Sequence, residues 1–208
     1  MKYLLLLILI LVINLSAISI KHKEPDSSVK EPLKIGGIIP KANVKMENYA
    51  GAMVSLREAG MENGLLVVFS SNTCLTVVEN NLRMIGLVNY AFRNHIGVIV
   101  LNSNEKNRDG SDSKETMKVY AEELGYRCLY VVDKNSEMAN AFGAQHTPEC
   151  YLFNKLGRLV YKGAIDNSPH NEMDADQQYL KQAITEISQG QPVSIKETEA
   201  VGCPIKRK

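Results

Sequence analysis

The sequence has no excess of charge of either sign, and this absence limits the partners that the protein can recognise. Its 208 residues include 24 Lys or Arg and 23 Asp or Glu, which gives a formal net charge of +1. The two signs are interspersed along the chain, so no surface for nucleic acid is predicted. The basic residues 206–208 at the end of the chain are interpreted as a solvated tail.

Several common site signatures are also missing. No pair of His or Cys residues has the spacing of zinc ligands, and no Gly-rich loop that could hold a phosphate is present. The hydroxyl residues Ser70 and Ser71 lack the Gly-x-Ser-x-Gly setting of a hydrolase nucleophile. The sequence therefore predicts no metal site and no cofactor.

The chain lacks an apolar run long enough to cross a membrane, which needs about 20 residues. Residues 3–13 are uninterrupted apolar residues, with Lys2 before them and the small residues of a cleavage site at 17–19. This pattern is typical of an export signal covering residues 1–19. It predicts a periplasmic or extracellular protein that contacts a membrane only if the segment stays uncleaved. Residues 20–34 are predicted to be a polar linker, and residues 35–208 a single domain.

Only four cysteines are present, and only one lies in a motif that suggests chemistry. They are Cys74, Cys128, Cys150 and Cys203. In an oxidising compartment disulfides persist, and four cysteines allow three complete pairings among which the sequence does not choose.

Cys74 lies between a predicted strand, residues 65–69, and a predicted helix. The free N–H groups and the dipole at the start of a helix favour a thiolate there, and therefore redox chemistry. A Cys-x-x-Cys dithiol would have its first cysteine at position 71, where this chain has Ser71. The helix after Cys74 has apolar residues at 78, 82, 85, 88 and 92, which predict one buried face. Cys74 lies one turn before Val78 on that face, so partial burial would raise the pKa of its thiol.

The remaining segments alternate between strand and helix patterns. A strand at residues 96–101 is followed by a helix that begins at Asp112 and ends at Gly125, and then by a strand at residues 127–132. A short helix ending at Gly143 is followed by a hairpin and a last helix. The hairpin strands are residues 150–153 and 158–162, and the last helix covers residues 174–189. This order predicts an α/β domain with a mixed β-sheet flanked by helices.

Five segments, taken in order, resemble one known group of proteins. They are residues 64–70 leading into Asn72, Thr73 and Cys74; residues 101–104; residues 141–144 with Thr147 and Pro148; residues 157–163; and residues 202–206. Their order and spacing resemble the thioredoxin-like redoxin family, which is related to alkyl hydroperoxide reductase and thiol-specific antioxidant proteins. The resemblance implies a thioredoxin fold with a redoxin-type N-terminal extension. It also implies a cis-proline loop, Thr147–Pro148, facing the active thiol.

The resemblance further implies thiol-based redox chemistry through Cys74, with Ser71 and Thr73 lining the turn. Many relatives have Cys-Asn-x-Cys-Pro where this chain has Ser71 and Leu75, so a thioredoxin-type cycle cannot close within the motif. The arrangement also looks like that of peroxiredoxins, which place a hydroxyl residue three positions before the cysteine that attacks peroxide. Such a cysteine becomes a sulfenic acid that a second thiol resolves. The candidates for this second thiol are Cys203 and Cys150.

The expected protein is therefore a thiol oxidoreductase whose partner is a thiol or disulfide protein or a peroxide. The alternative is a redox-inactive binding module that kept the fold and lost the reaction. The losses at Ser71 and Leu75 favour this alternative. Val67, where a peroxiredoxin has proline, and the lack of an arginine near Thr147 count against peroxide reduction. His146 is interpreted as a solvated loop residue or as a group that tunes a nearby thiol.

Overall fold

The structure is a computed structural model that describes residues 31–208. The predicted export signal and most of the predicted linker lie outside the described residues. Between residues 31 and 208, no helix has the length and hydrophobicity needed to span a membrane.

The described residues form nine β-strands and six α-helices. The strands are β1 (Met46–Glu47), β2 (Met53–Val54), β3 (Gly64–Ser70), β4 (Ile96–Asn102), β5 (Leu129–Val132), β6 (His146–Thr147), β7 (Glu149–Asn154), β8 (Leu159–Gly163) and β9 (Cys203–Pro204). The helices are α1 (Leu56–Ala59), α2 (Leu75–Glu79), α3 (Asn81–Arg93), α4 (Lys114–Glu123), α5 (Glu137–Phe142) and α6 (Tyr179–Ser188).

Five strands form a central mixed sheet in the order β5-β4-β3-β7-β8. Strand β4 runs parallel to both β3 and β5, whereas β7 runs antiparallel to both β3 and β8. The predicted α/β fold with a mixed sheet is confirmed. Two small antiparallel sheets, β1 with β2 and β6 with β9, lie outside the central one.

The core lies on both faces of this sheet. In β3, Leu66 and Val68 point to one face, whereas Leu65, Val67 and Phe69 point to the other, because side chains alternate along a strand. Buried residues of α3, α4 and α6 cover the first face, and buried residues of α1 and α5 cover the second. The domain is therefore a helix–sheet–helix sandwich with β3 at its centre.

The predicted buried face of the helix after Cys74 is wrong, because the segment forms two helices instead of one. Asn80 ends α2 and begins α3, and its side-chain amide donates hydrogen bonds to the carbonyl oxygens of Thr76 and Pro169. The break changes the register, so Val78 and Leu82 are 46% and 80% exposed. The apolar residues that α3 buries are Met84, Leu87, Val88 and Ala91.

Two predicted helix starts are also displaced. The last helix begins at Tyr179 instead of residue 174. Helix α4 begins after Ser113, whose hydroxyl accepts a hydrogen bond from the Thr116 N–H at 3.2 Å. Ser113 therefore caps α4, and the neighbouring Asp112 is left for a different role.

Candidate active site

A disulfide joins Cys74 and Cys203, which are 129 positions apart in the chain, with their Cα atoms 5.8 Å apart. Cys74 is the N-cap residue of α2, directly after the turn that leaves β3. Cys203 belongs to β9 near the end of the chain. The sequence left three cysteine pairings open. In the structure, only this pair is bonded among the described residues, and Cys128 and Cys150 are free thiols.

The disulfide lies against the Thr147–Pro148 loop, whose peptide bond is cis. The carbonyl oxygen of Thr147 is 3.0 Å from the Cys74 sulfur. Thr147 is also the antiparallel partner of Cys203 in the pairing of β6 with β9. Both sulfurs are therefore held between the start of α2 and this loop.

The end of the chain is docked by backbone contacts. The Ile205 N–H donates to the Gln145 carbonyl at 2.9 Å, and the Ile205 side chain is buried in the core. A Cβ atom at Gly202 would lie 2.1 Å from the Thr147 carbonyl oxygen, so the close approach of the two segments requires glycine there. The interpretation of residues 206–208 as a solvated tail is wrong, because the Lys206 carbonyl accepts a hydrogen bond from the Lys106 N–H and the Lys206 N–H donates to Asn104 Oδ1, each at 2.9 Å.

A buried carboxylate organises the turn before Cys74. Asp112 is fully buried, and its Oδ1 atom accepts hydrogen bonds from the Asn72 N–H at 3.0 Å and the Asn102 amide at 2.7 Å. Its other oxygen accepts from the amides of Asn104 and Asn107, each at 3.2 Å. Both oxygens of this buried carboxylate are therefore paired with hydrogen-bond donors, as is usual for polar groups in a protein interior.

The same network reaches the other half of the disulfide. Asn104 donates to Asp112 and, through its Oδ1 atom, accepts a hydrogen bond from the Lys206 N–H at 2.9 Å. Asp112 thus links the turn that carries Cys74 to the terminal segment that carries Cys203. Sequence reasoning missed this residue because an Asp beside a helix start is typical of an N-cap. The adjacent Ser113, an equally good cap, was the available signal.

Ser71 and Thr73 differ in their surroundings. Ser71 is 1% exposed, and its hydroxyl donates to Asp112 at 3.4 Å and accepts from the Thr73 N–H at 3.2 Å. The Thr73 side chain is exposed. The Ser71 hydroxyl is therefore part of the hydrogen-bond network that shapes the turn.

Cys150 and Cys128 lie in the core. Cys150 is fully buried in the middle of the sheet, where it pairs with Val68 of β3. Burial raises the pKa of the Cys150 thiol far above its usual value and that of Cys128 to about 12. Cys150, which the sequence offered as a candidate resolving thiol, is thus a core residue and does not pair with Cys74.

A second carboxylate orders the cis-proline loop. Glu149 Oε2 accepts hydrogen bonds from the backbone N–H groups of Gln145 and His146 at 2.8 and 3.0 Å, and its Oε1 atom accepts from the Tyr151 hydroxyl at 2.6 Å. His146, which was interpreted as a possible tuning group, contributes its backbone to this arrangement. Among the described residues, no group of three His, Cys, Asp or Glu side chains could hold a metal ion.

The two sulfur-bearing residues differ in exposure. Cys74 is 3% exposed, whereas Cys203 is only partly buried. Of the two residues, Cys203 is therefore the more accessible from solution.

No protein-family model matches the chain, and no curated protein matches it. Solved structures, however, do match the chain. An uncharacterized conserved protein from Geobacillus kaustophilus is 30% identical with a TM-score of 0.78, over 85% of this chain and 93% of that one. A hypothetical protein from Sinorhizobium meliloti 1021 is 26% identical with a TM-score of 0.78, over 86% and 97% of the two chains.

A third, more distant structure identifies the fold. The C-terminal domain of a Bacteroides thetaiotaomicron protein classed as a thiol-disulfide oxidoreductase is 18% identical with a TM-score of 0.57, over 76% of this chain and 97% of that one. This likeness and the central mixed sheet identify the thioredoxin fold. The chain therefore has a thioredoxin fold and belongs to the family of the Geobacillus kaustophilus protein.

Proposed function

We propose that the protein is a thiol–disulfide oxidoreductase whose redox pair is Cys74 and Cys203. The observation that carries the proposal is their disulfide, which lies beside the cis Thr147–Pro148 loop although the two cysteines are 129 positions apart. Ser71 stands where a Cys-x-x-Cys motif has its first thiol. Cys203 supplies the missing sulfur from the end of the chain.

The difference in exposure supports an order of events. A thiolate of a partner attacks the Cys203 sulfur, the Cys74–Cys203 bond breaks, and its electron pair leaves on Cys74 as a thiolate. The partner is then bound to Cys203 as a mixed disulfide. A second thiolate of the partner attacks the partner's own sulfur in that bond, which forms the partner's disulfide and releases Cys203 as a thiolate. Two electrons have passed from the partner to the protein.

The same steps in reverse reduce a disulfide of the partner. The Cys203 thiolate attacks, and Cys74 resolves the mixed disulfide by attacking Cys203. In this scheme Cys74 is the resolving cysteine, although the sequence suggested that it attacks first. Its position at the N-cap of α2 suits the role, because the free N–H groups of a first helical turn favour a thiolate leaving group.

Peroxide reduction is the second candidate, and one observation favours it. Cys203 lies within bonding distance of Cys74, so a sulfenic acid formed on either sulfur has a thiol ready to resolve it. A thiolate attacks one peroxide oxygen and releases an alcohol or water, which leaves a sulfenic acid. The second thiol then displaces water and restores the disulfide. A thiol partner reduces that disulfide for the next cycle.

The test is exchange of the reduced protein with glutathione disulfide, followed by mass spectrometry of each cysteine. We expect Cys74→Ser to accumulate a glutathione adduct on Cys203, and Cys203→Ser to react much more slowly at Cys74. Cys150→Ser is the matched control and behaves like the parent. An adduct that forms faster on Cys74 than on Cys203 would reverse the proposed order. Protein that exchanges no faster than a denatured thiol peptide would instead be the redox-inactive module.

A parallel assay with hydrogen peroxide separates the two activities. Rapid peroxide consumption that is lost in both single variants supports the peroxidase. Slow consumption together with rapid glutathione exchange supports the oxidoreductase alone.

We also propose that residues 1–19 export the protein to an oxidising compartment. The proposal is supported by the pattern of that segment and by a chemistry that needs disulfides to persist. N-terminal sequencing of the protein from fractionated cells tests it. A first residue of Ile20 in the exported fraction is expected, and intact Met1 in the cytoplasmic fraction contradicts export.

A further inference from the structure

We propose that a cavity between α3 and α6 binds a small molecule through an oxyanion group, as in a phosphate ester or a carboxylate. The cavity has a volume of about 220 Å³. Its charged lining residues are Arg83, Arg93, Asp166 and Lys181. None of these four residues contributes to the disulfide site.

The first argument is the hydrogen bonding of Arg83. Its side chain is only 6% exposed, and its Nη1 atom donates to the Asp166 carboxylate at 2.5 Å and to the Ser168 carbonyl at 2.7 Å. Its Nε and Nη2 atoms are buried and have no hydrogen-bond partner among the described residues. Buried polar groups without partners are rare in folded proteins, so each one calls for an explanation.

The two unpaired nitrogens are covered by neighbouring atoms, so an oxyanion in the cavity reaches them only after the Arg83 side chain shifts toward it. Nε and Nη2 lie along one edge of the guanidinium, and this edge donates two parallel hydrogen bonds to a carboxylate or a phosphate. Asp166 does not compete for that edge, since its Oδ2 atom is bound to Nη1 and its Oδ1 atom accepts from the Ser168 N–H at 2.9 Å.

The second argument is the charge of the lining. Three cations, Arg83, Arg93 and Lys181, and a single carboxylate, Asp166, leave a net charge of +2 in the cavity. Arg93 and Lys181 are exposed, and neither forms an ion pair with another residue between positions 31 and 208. Each lies 5.8 Å from the centre of the Tyr90 ring, and Lys181 also donates a hydrogen bond to Gln178 Oε1 at 3.0 Å. Long cationic side chains at the rim can close over an anion.

The rest of the lining accommodates an uncharged portion of the ligand. Leu82, Leu87 and Ile165 provide apolar surface, and Leu82 is 80% exposed. Gly86 lies inside α3, where glycine is a poor helix former, and a Cβ atom built on it meets no atom within 4 Å. The chain thus leaves open space in the lining at this position.

The test is titration of the full chain with inorganic phosphate and, separately, with acetate. Binding is followed by calorimetry at ionic strength held constant with chloride. Saturable binding in the millimolar range or tighter is expected for at least one of the two anions. Phosphate alone identifies a phosphate ligand, and acetate binding identifies a carboxylate. No saturation with either anion overturns the proposal.

Variants separate this site from general attraction to charge. Arg93→Gln and Lys181→Gln are surface changes, and each is expected to weaken binding roughly threefold, with about tenfold for the pair. Gly86→Phe fills the space without changing the charge and is expected to abolish binding. Lys118→Gln, which removes an exposed lysine of α4 outside the cavity, is the matched control and leaves binding unchanged. Equal weakening by Lys118→Gln and Lys181→Gln would mean that only the net charge matters.

Arg83 itself is tested by the conservative change Arg83→Lys. A lysine keeps a positive charge beside Asp166 but has no two-nitrogen edge to offer an anion. We expect anion affinity to fall at least tenfold while the far-ultraviolet circular dichroism spectrum stays that of the parent. Unchanged affinity in this variant would contradict the assigned role of the guanidinium edge. Rapid glutathione exchange in every cavity variant would show that these substitutions leave the disulfide site intact.

Discussion

Removing the Cys74–Cys203 disulfide is expected to cost the protein a large part of its stability. The bond closes a loop of 129 positions, and closing a loop of that length in the unfolded chain costs about 5 kcal/mol of conformational entropy at 25 °C. Measured values for disulfides run from about 2 to 5 kcal/mol, so a loss in the upper part of that range is expected. The free energy of unfolding, measured with urea under non-reducing conditions, checks the value.

The same experiment tests whether the loss comes from the bond or from local packing. Cys74→Ser, Cys203→Ser and the double variant all lose the same disulfide, so all three are expected to lose nearly the same free energy. Reduced parent protein is expected to match them. If the double variant instead lost the sum of the two single losses, each cysteine would act through its own packing, and the loop-closure argument would be refuted.

Three further predictions follow from the contacts around the site. Asp112→Ala removes the carboxylate that accepts from the Asn72 N–H and from the side-chain amides of Asn102, Asn104 and Asn107, so we expect a loss of about 3 to 5 kcal/mol in urea unfolding and a more easily reduced disulfide. Gly202→Ala pushes the terminal strand away from Thr147, so the fraction of protein with a closed disulfide in a glutathione redox buffer is expected to fall. Cys128 and Cys150 are expected to resist alkylation in the native protein and to react fully in denaturant. Because burial raises the pKa of Cys128 to about 12, any native labelling of that thiol should rise about tenfold per pH unit up to pH 11, with no plateau near pH 8.5.

The strands of the central sheet could be predicted from the sequence because their signal is local. Strand β4, for example, is a continuous run of apolar and β-branched residues that is buried on both faces. The face of α3 could not be predicted, because the break at Asn80 depends on a hydrogen bond to Pro169, 89 positions away. Helix α1 was missed although Ser55 and Glu58 form a capping box, which is a signal that the sequence contains.

The candidate site likewise has one part that local sequence predicts and another part that it does not. Cys74 was found because a strand and a helix flank it within a few residues. The partners of Asp112 come from three separate segments, at Asn72, at residues 102–107 and, through Asn104, at Lys206. A single sequence contains no local pattern for such a set. The pairing of Cys74 with Cys203 has the same origin, since it depends on the docking of a strand from the end of the chain against β6.

Forming the disulfide between two distant segments has a thermodynamic consequence that a Cys-x-x-Cys disulfide lacks. A disulfide that stabilises the folded state is stabilised by folding to the same extent, because the two equilibria form a closed cycle. A contribution of about 5 kcal/mol to stability therefore makes the disulfide harder to reduce by roughly 100 mV relative to the unfolded chain. In a motif of four residues the loop is short and this coupling is small. Here, contacts that dock the terminal strand, such as the burial of Ile205 and the Asn104–Lys206 hydrogen bond, set how readily the protein gives up its disulfide.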